Sequence, residues 1–476
     1  MNTGMQRKKL LVSSIAISLF ILTFVINLYT LGRIKAALST AITPTDASDS
    51  SAPSEPSAAI DIIRQPENRL FVPGGCVTLS LRAQGSDLHY QWYYRKPGEK
   101  DFSPWNGHTH ASESVAPPDS WDGIELYCTV GEADGHSVRS DTITVSRGDT
   151  LSVLGVGDSI CSGRRNGSKG FVGDLGLPYL NAGVSGSSLS TVRTDVTTIP
   201  DQLMQVTDFD PDIVIAEGGL NDLYRNAPLG EIPTVQADSM DALDTSTVMG
   251  GMQKLFLIMK EKYPDAQHCF LIVHKIFRKG VYLVDTPNQA GYSQTDMHDA
   301  FVACCRVYGI EVIDIFKDSP LDTSDLSLLS ECNYTSGSDP EWECARSNDT
   351  DYINGDGVHP LNRCYLEYYV PIILQHIHTQ VQKLAITSQP QDVEIMPGDS
   401  FLLSIEAEGT GLRCQWYYKK EGQDSFRVWN GHTFRSEIIT PNSSWDGIQL
   451  YCEVTDKFGH SLQSDVITVR MAKEPQ

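Results

Sequence analysis

The chain has 476 residues, of which 40% are hydrophobic, and its 60 Asp and Glu residues outnumber its 37 Lys and Arg residues to give a net charge of −23. This length predicts more than one folded domain, and the apolar content excludes a chain that is disordered throughout. The acidic balance, with no Lys/Arg tract beyond the first nine residues, argues against nucleic acid as a partner, because phosphate binding depends on clustered cations.

The N-terminal segment predicts a membrane anchor. Residues 1–9 form a basic segment that ends in Arg7-Lys8-Lys9, and residues 10–32 carry no charge. At about 1.5 Å per residue, this uncharged segment is long enough to cross the ~30 Å hydrocarbon core of a bilayer. The larger number of cations before the segment than after it favours a cytoplasmic N-terminus and an extracellular remainder. A cleaved signal peptide is the alternative, and it would release the remainder as a secreted protein.

The next segment predicts a flexible linker. Residues 33–59 are rich in Ser, Pro and Ala and contain no large aromatic side chain. Such a composition cannot bury enough apolar surface to offset the entropy lost on ordering. We therefore expect an extended spacer between the membrane and the first domain.

Residues 60–147 and 384–471 are two copies of one domain. Their shared motifs recur at a constant offset of 324 residues, as in Gln91-Trp92-Tyr93-Tyr94 and Gln415-Trp416-Tyr417-Tyr418. Apolar residues alternate with period two between closely spaced turn residues, which predicts a small antiparallel β-sandwich. These copies resemble bacterial immunoglobulin-like surface modules, in which Trp92 and Trp416 would lie on strand C and Cys128 and Cys452 near strand F.

The two modules differ from antibody domains in their cysteines. The positions expected to pair with Cys128 and Cys452 hold Leu81 and Ile405, so no common disulfide is expected and packing must hold both sandwiches. Trp105 and its copy Trp429 lie beside Asn-Gly-His-Thr and suggest a platform for glycan or cell-wall contact. The alternative is that these residues are core and turn positions of modules that act as spacers.

Residues 150–383 change character and predict an α/β domain. Short apolar runs suited to buried parallel strands alternate with helical patterns. The expected strands are 151–156, 213–216, 270–273 and 312–315, and the expected helices are 249–262, 293–308 and 360–383. Ligands of such folds bind at the carboxyl ends of the strands.

Four motifs fall at or near such strand ends. They are Gly157-Asp158-Ser159, Asn181-Ala182-Gly183, Gly218-Gly219-Leu220-Asn221 and Asp356-Gly357-Val358-His359. In this order they resemble the SGNH (GDSL-like) hydrolase family, whose flavodoxin-like α/β/α sandwich has a parallel sheet. The resemblance implies that Ser159 is the nucleophile, His359 the general base and Asp356 the carboxylate that orients it. It also implies that the N–H groups of Ser159 and Gly183 and the amide of Asn221 form the oxyanion hole.

The residue types agree with that chemistry. A Ser hydroxyl needs an adjacent base to take its proton, and the base must be held in one tautomer by a third group. The resemblance therefore implies a serine esterase. The substrates common in this family, together with the predicted export, suggest removal of an acetyl group from a surface or environmental carbohydrate. A lipase or thioesterase-like acyl hydrolase and a non-catalytic glycan-binding adhesin are the alternatives.

Other polar residues are interpreted more simply. Cys332 and Cys344 are candidates for a disulfide, whereas Cys161, Cys269, Cys304 and Cys305 have the apolar surroundings of buried thiols. His274 is left out of the site. The acidic insertion 317–351 is interpreted as a solvated loop, with calcium binding or capping of the substrate groove as the alternatives. No spacing predicts a metal site, and the mechanism requires no cofactor.

Overall fold

The computed structural model describes residues 60–85, 87–133, 135–163, 169–278, 280–325 and 357–472. The predicted anchor at 10–32, the linker, Asp356, and the pair Cys332 and Cys344 lie outside these residues. Among the described residues, no helix combines the length and the apolar character needed to cross a membrane.

The first copy of the repeat is built from short strands. Six of them form one mainly antiparallel sheet in the order β2-β10-β8-β5-β6, with β9 beside β8, while β1 pairs with β4 and β3 with β7. The buried faces of these strands enclose Trp92, which is fully buried. The strands are β1 Asp61–Arg64, β2 Arg69–Phe71, β3 Val77–Ser80, β4 Arg82–Gln84, β5 His89–Arg95, β6 Ser103–Pro104, β7 Ser112–Val115, β8 Ile124–Gly131, β9 Ser137–Arg139 and β10 Ile143–Arg147.

The central region contains a five-stranded, wholly parallel sheet. Its strand order is β12-β11-β13-β14-β17, and β15 and β16 form a separate hairpin. The parallel sheet agrees with the fold class expected from the sequence. The strands are β11 Val153–Val156, β12 Tyr179–Asn181, β13 Ile213–Glu217, β14 Gln267–Ile272, β15 Phe277–Arg278, β16 Val281–Tyr282 and β17 Glu311–Asp314.

Helices accompany this sheet and bury their apolar sides in its core. Two of them agree with the sequence expectation to within one residue, Val248–Lys262 and Gln294–Tyr308. The others described are Ile199–Gln205, Leu220–Tyr224, Ile315–Asp318, Asn362–Cys364 and Val370–His376, with a π-helical turn at Tyr365–Tyr369.

The expected helix 360–383 is wrong at both ends. The helical segment begins at Asn362 and ends at His376, and Ile377 is already extended. Gln267 accounts for the C-terminal end, because its amide donates to the carbonyl of His376 and its oxygen accepts the N–H of His378, at 2.7 and 3.0 Å. These bonds satisfy backbone groups that a longer helix would have used itself.

The second copy repeats the strand pairing of the first. Its larger sheet has the order β19-β27-β25-β22-β23, with β26 beside β25, while β18 pairs with β21 and β20 with β24. Both copies therefore fit β-sandwiches. The strands are β18 Ala385–Ser388, β19 Val393–Ile395, β20 Phe401–Ser404, β21 Glu406–Glu408, β22 Arg413–Lys419, β23 Arg427–Val428, β24 Ser436–Ile439, β25 Ile448–Thr455, β26 Ser461–Gln463 and β27 Ile467–Met471.

The first copy docks on the central region through the strands β3 and β7. Cys76, just before β3, exchanges two backbone hydrogen bonds with Tyr179 of β12, at 2.6 and 2.9 Å. The hydroxyl of Thr78 donates to the carbonyl of Gly173 at 2.5 Å, and Ser114 contacts the hydroxyl of Tyr179 at 2.5 Å. The buried Lys169 donates to Ser112. The contact is therefore polar and specific.

The second copy contacts the central region through charged side chains. The ammonium of Lys457 lies 2.9 Å from the carboxylate of Asp212 and 3.2 Å from the carbonyl of Asp210. His460 also lies 3.2 Å from Asp149, in the short link that precedes the central region. The nine cysteines that the structure describes are all free thiols, including Cys128 and Cys452 of the two copies.

Candidate active site

Ser159 and His359 meet at the carboxyl edge of the parallel sheet. The imidazole Nε2 of His359 lies 2.9 Å from the hydroxyl oxygen of Ser159 although the residues are 200 positions apart in the chain. His359 is buried and Ser159 is partly exposed. A base within about 2.6–3.2 Å of a hydroxyl can take its proton as that hydroxyl attacks a carbonyl carbon. The predicted orienting carboxylate, Asp356, lies outside the described residues.

A tight turn after β11 presents Ser159. All four residues of β11 are buried, and a side chain at Gly157 would place its Cβ 2.7 Å from both Cys161 and the carboxylate of Glu217. Only glycine therefore fits at this position without displacing its neighbours. The N–H of Ile160 then donates to the Asp158 carboxylate at 2.9 Å, and the N–H of Ser162 to the Asp158 carbonyl at 2.9 Å. These bonds close the turn around Ser159.

The amide nitrogen of Asn221 is held by two acceptors. Its Nδ2 donates to the carboxylate of Asp158 at 3.0 Å and to the carbonyl of Ser187 at 2.9 Å. Gly183 is placed similarly, because its N–H donates to the side-chain oxygen of Asn181 at 3.0 Å. An oxyanion at this site would therefore share these donors with their present partners.

Asp158 and Glu217 form a buried pair of carboxyl groups beneath Ser159. The carboxylate of Glu217 accepts the N–H of Asp158 at 3.1 Å, and both side chains are almost wholly buried. Burial, followed by the charge of Asp158, raises the pKa of Glu217 well above its usual range. Burial also raises the pKa of Asp158, but the N–H of Ile160, the charge of His359 and the amide of Asn221 oppose that shift. We therefore infer that the pair holds one proton, which lies on Glu217, and that Asp158 carries the negative charge.

Asp222 fixes the loop that carries Ser187. Its carboxylate accepts the N–H groups of Leu189 and Ser190, both at 2.9 Å, and the hydroxyl of Ser190 at 2.5 Å. Burial raises the pKa of Asp222 to about 6, although all three donors lower it. Gln202 adds a second tie, since its side chain accepts the N–H of Gly157 and donates to the hydroxyl of Ser187.

Asp158, Glu217, Asp222 and Gln202 support the site, and none of these supporting roles was predicted from the sequence. Glu217 could have been recognised from the sequence, because a carboxyl group at the end of an otherwise apolar strand is unusual in a core. Asp222 follows Asn221 directly in the chain. Gln202 carried no such signal, because its contacts depend on how the helix Ile199–Gln205 packs.

Two other polar groups near the sheet edge are interpreted as structural. Cys161 is fully buried, and burial raises its pKa well above its usual range, so its thiol is not activated as a nucleophile. His274 is also fully buried, and its Nδ1 lies 2.7 Å from the hydroxyl of Tyr369. Among the described residues, no group of three or more His, Cys, Asp or Glu side chains is placed to hold a metal ion.

A cavity of about 440 Å³ lies at the opposite edge of the sheet, between the central region and the second copy. Both lysines in its walls are already engaged, since Lys262 donates to the carbonyls of residues 203, 204 and 206 and Lys457 pairs with Asp212. This cavity is remote from Ser159, because its walls include the amino ends of β13 and β14.

Comparison with known proteins supports the class that this site suggests. Residues 155–365 match the model of the GDSL-like lipase/acylhydrolase family. This match supports an SGNH hydrolase family for the central region and implies an ester-hydrolysing serine hydrolase. No curated protein matches the chain.

Several solved structures are similar to a part of this chain. One is a protein from Lactobacillus plantarum that is 18% identical, with a TM-score of 0.35. The match covers 48% of this chain and 97% of that protein's chain. Another is described as a possible lipase from Chitinophaga pinensis, 17% identical, covering 47% and 97%, with a TM-score of 0.34. A third is a GDSL-like lipase from Bacteroides thetaiotaomicron, 15% identical, covering 47% and 86%, with a TM-score of 0.28.

Proposed function

We propose that the chain is a membrane-anchored extracellular serine esterase of the SGNH type, which removes a small acyl group, acetyl above all, from a carbohydrate. The contact of 2.9 Å between His359 and Ser159 is the observation that carries the catalytic part of this proposal. The anchor is supported by the uncharged segment 10–32. The choice of an acetyl group and a carbohydrate is supported by the substrates common in the family and by the predicted export.

The mechanism proceeds through an acyl-enzyme. The Ser159 oxygen attacks the ester carbonyl while His359 takes its proton, and the tetrahedral oxyanion is stabilised by the N–H groups of Ser159 and Gly183 and by the Asn221 amide. His359 then gives its proton to the leaving alcohol. Water attacks the acyl-Ser159 ester with His359 again as base, which releases the acid and restores the hydroxyl. Asp356 is proposed to hold the imidazole of His359 in the required tautomer.

The flanking copies are proposed to be immunoglobulin-like modules at residues 60–147 and 384–471, on either side of a hydrolase domain at 150–383. Their aromatic groups bear on glycan contact. One face of Trp105 stacks on His108 with ring centroids 3.6 Å apart, and Trp429 stacks on His432 at 3.5 Å. Because a His ring covers one face of each Trp, these Trp side chains favour packing within the module over a platform for glycan. Spacing and docking is therefore the role that we favour for both modules.

Replacement of Ser159 tests the catalytic proposal. We expect the full chain to react with a fluorophosphonate probe and to release acetate from acetylated sugars. The change Ser159→Ala should abolish labelling and lower kcat by a factor of about 10⁴ or more, because the nucleophile is lost.

The control is Ser239→Ala, which removes an exposed hydroxyl in the same region. It should label like the parent chain. Labelling that persists in Ser159→Ala would exclude Ser159 as the nucleophile, and an unreactive parent would favour the adhesin. A preference for acyl chains beyond about eight carbons would favour the lipase alternative and exclude acetyl as the main substrate group.

A further inference from the structure

The first residues of the acidic insertion 317–351 are buried rather than solvated. Leu321 and Thr323 are both 0% exposed, so the expectation of a solvated loop is wrong for this part of the insertion. Asp322 forms a parallel bridge with Lys275, which follows β14. This segment therefore lies at the carboxyl edge of the parallel sheet, where the candidate active site also lies.

The hydroxyl of Thr323 joins two other segments of the chain. It accepts the N–H of Phe277, the first residue of β15, at 2.7 Å, and it donates to the carbonyl of Gly357 at 2.9 Å. A hydroxyl has one proton to donate, and the carbonyls of Lys275 and Phe277 are more distant, at 3.3 and 3.4 Å. The bond to Gly357 is therefore the one that this proton makes.

Gly357 lies two residues before His359 and is tightly packed. Its φ of +83° is in the left-handed region, and a Cβ at this position would lie 2.0 Å from the carbonyl oxygen of Phe277. Gly357, Val358 and His359 are all buried. Because only Val358 separates Gly357 from His359, a shift of the Gly357 carbonyl displaces the imidazole as well.

We propose that Thr323 is a positioning residue for His359, which it holds at hydrogen-bond distance from Ser159 through the carbonyl of Gly357. This inference rests on the proposed esterase function. Thr323 acts on the reaction only through His359, because its fully buried side chain does not reach the substrate. A displacement of about 1 Å in a catalytic group can lower a rate by about 100-fold, so one hydrogen bond at this point has a large effect.

Hydrolysis of p-nitrophenyl acetate by the full chain, in mild detergent, tests this role. Thr323→Val keeps the shape of the side chain but removes the hydroxyl. We expect it to lower kcat by about tenfold or more and to leave KM within about twofold of the parent value. Thr323→Ser keeps the hydroxyl and should bring kcat to within about threefold of the parent. Each kcat is expressed per Ser159 that a fluorophosphonate labels at completion, so that unfolded protein does not count.

The matched control is Thr78→Val, which removes another buried threonine hydroxyl that donates to a glycine carbonyl, that of Gly173. It should lower the melting temperature but leave kcat per labelled site unchanged. If Thr323→Val does not fold, Thr323→Ala takes its place, because it leaves room for a water at the hydroxyl position. Thr323→Ala should also lower kcat per labelled site, since a water does not fix the distance between the two segments.

A double-mutant cycle with His359→Ala identifies the group through which Thr323 acts. The His359→Ala chain keeps the slow hydrolysis that the rest of the site supports. In this background, Thr323→Val should lower kcat by less than about twofold, because the base that it displaces is already absent. An equal loss in both backgrounds would overturn the proposal, since it would show that Thr323 supports the site without His359.

The outcomes separate this inference from the function on which it rests. A parent chain without Ser159-dependent hydrolysis would overturn both. Ser159-dependent hydrolysis that Thr323→Val leaves at the parent rate, or that Thr323→Ser fails to restore, would overturn the positioning role alone.

Discussion

At the residue scale, the buried pair beneath Ser159 explains how the turn is held in place. Glu217 lies at the end of β13 and accepts the backbone N–H of Asp158, while Asp158 itself accepts from Ile160 and from Asn221. One protonated and one ionised carboxyl group can satisfy these donors without two adjacent charges. The pair therefore links the nucleophile turn to the Asn221 side chain.

Replacement of Glu217 should test the hydrogen bond that it accepts from Asp158. Glu217→Gln keeps an oxygen that accepts the Asp158 N–H, so we expect kcat for ester hydrolysis to stay within about tenfold of the parent. Glu217→Leu leaves that N–H buried and unpaired, at a cost of about 1–3 kcal/mol in folding stability. It also releases the turn that positions Ser159, so we expect kcat to fall by about tenfold or more. Steady-state kinetics should show the loss in kcat, with little change in KM. Equal activity of the two variants would show that this hydrogen bond does not position Ser159.

At the scale of elements, a buried ion pair joins the helix Gln294–Tyr308 to the end of β17. The imidazole of His298, only 1% exposed, lies 2.9 Å from Asp314 and 2.8 Å from Asp299 and stacks on Phe316. Burial lowers the pKa of His298 and Lys317 lowers it further, but the two carboxylates outweigh both and raise it overall. The folded chain therefore binds this proton more tightly than the unfolded chain does.

This linkage predicts a pH-dependent effect of His298→Gln. A raised pKa in the folded state stabilises the fold fully below the unfolded value of about 6.5, and that stabilisation is lost as the pH rises through the folded pKa. The variant should therefore lower the melting temperature more at about pH 6 than at about pH 9. Scanning calorimetry measures this difference, and His89→Gln, at an exposed position, is the control. An equal effect of His298→Gln at both pH values would contradict the proposed ion pair.

At the scale of the whole molecule, the first copy and the central region are one packed unit. Thr78, Ser112 and Ser114 of the copy reach Gly173, Lys169 and Tyr179 of the central region. Lys169 also faces Asp174, whose pKa is raised by burial and lowered in part by the Lys169 charge. We therefore expect the two parts to unfold together.

The change Thr78→Val tests this docking. It keeps the side-chain shape but leaves the carbonyl of Gly173 without its donor, at a cost of about 1–3 kcal/mol. Since each kcal/mol lowers the melting temperature of a unit as large as residues 60–383 by about 1–2 °C, the joint transition should move down by about 1–5 °C. Thr78→Ser keeps the hydroxyl and should melt close to the parent. A transition that Thr78→Val leaves unmoved would show that the docking contact adds no stability.

Much of the central region could be predicted because its signals are local. Apolar runs mark the buried strands β11, β13, β14 and β17, and the motifs that follow them must meet at one edge of a parallel sheet. That reasoning placed Ser159 at this edge, whereas its pairing with His359 came from the resemblance to the SGNH family. The short strand β12 was missed because three residues carry too little pattern, and the helix after Pro360 was made too long because its end depends on Gln267, about 110 residues earlier.

Tertiary contacts explain the rest of what was missed. The repeat predicted that both copies share one strand arrangement, but not that one copy would bury a face that the other exposes. That difference rests on pairs such as Thr78 and its copy Leu402, whose meaning depends on what lies opposite them. The pairing of Asp158 with Glu217 likewise requires β11 and β13 to be neighbours in the sheet.

The bridge between Cys76 and Tyr179 has a consequence for how far the chain can be shortened. β12 is the outermost strand of the parallel sheet, and its free side would offer unpaired N–H and C=O groups to any other extended chain. Cys76 occupies that side at Tyr179 through two backbone bonds. The first copy therefore covers this part of the edge strand, and a chain cut down to residues 150–383 would expose it while keeping Ser159 and His359.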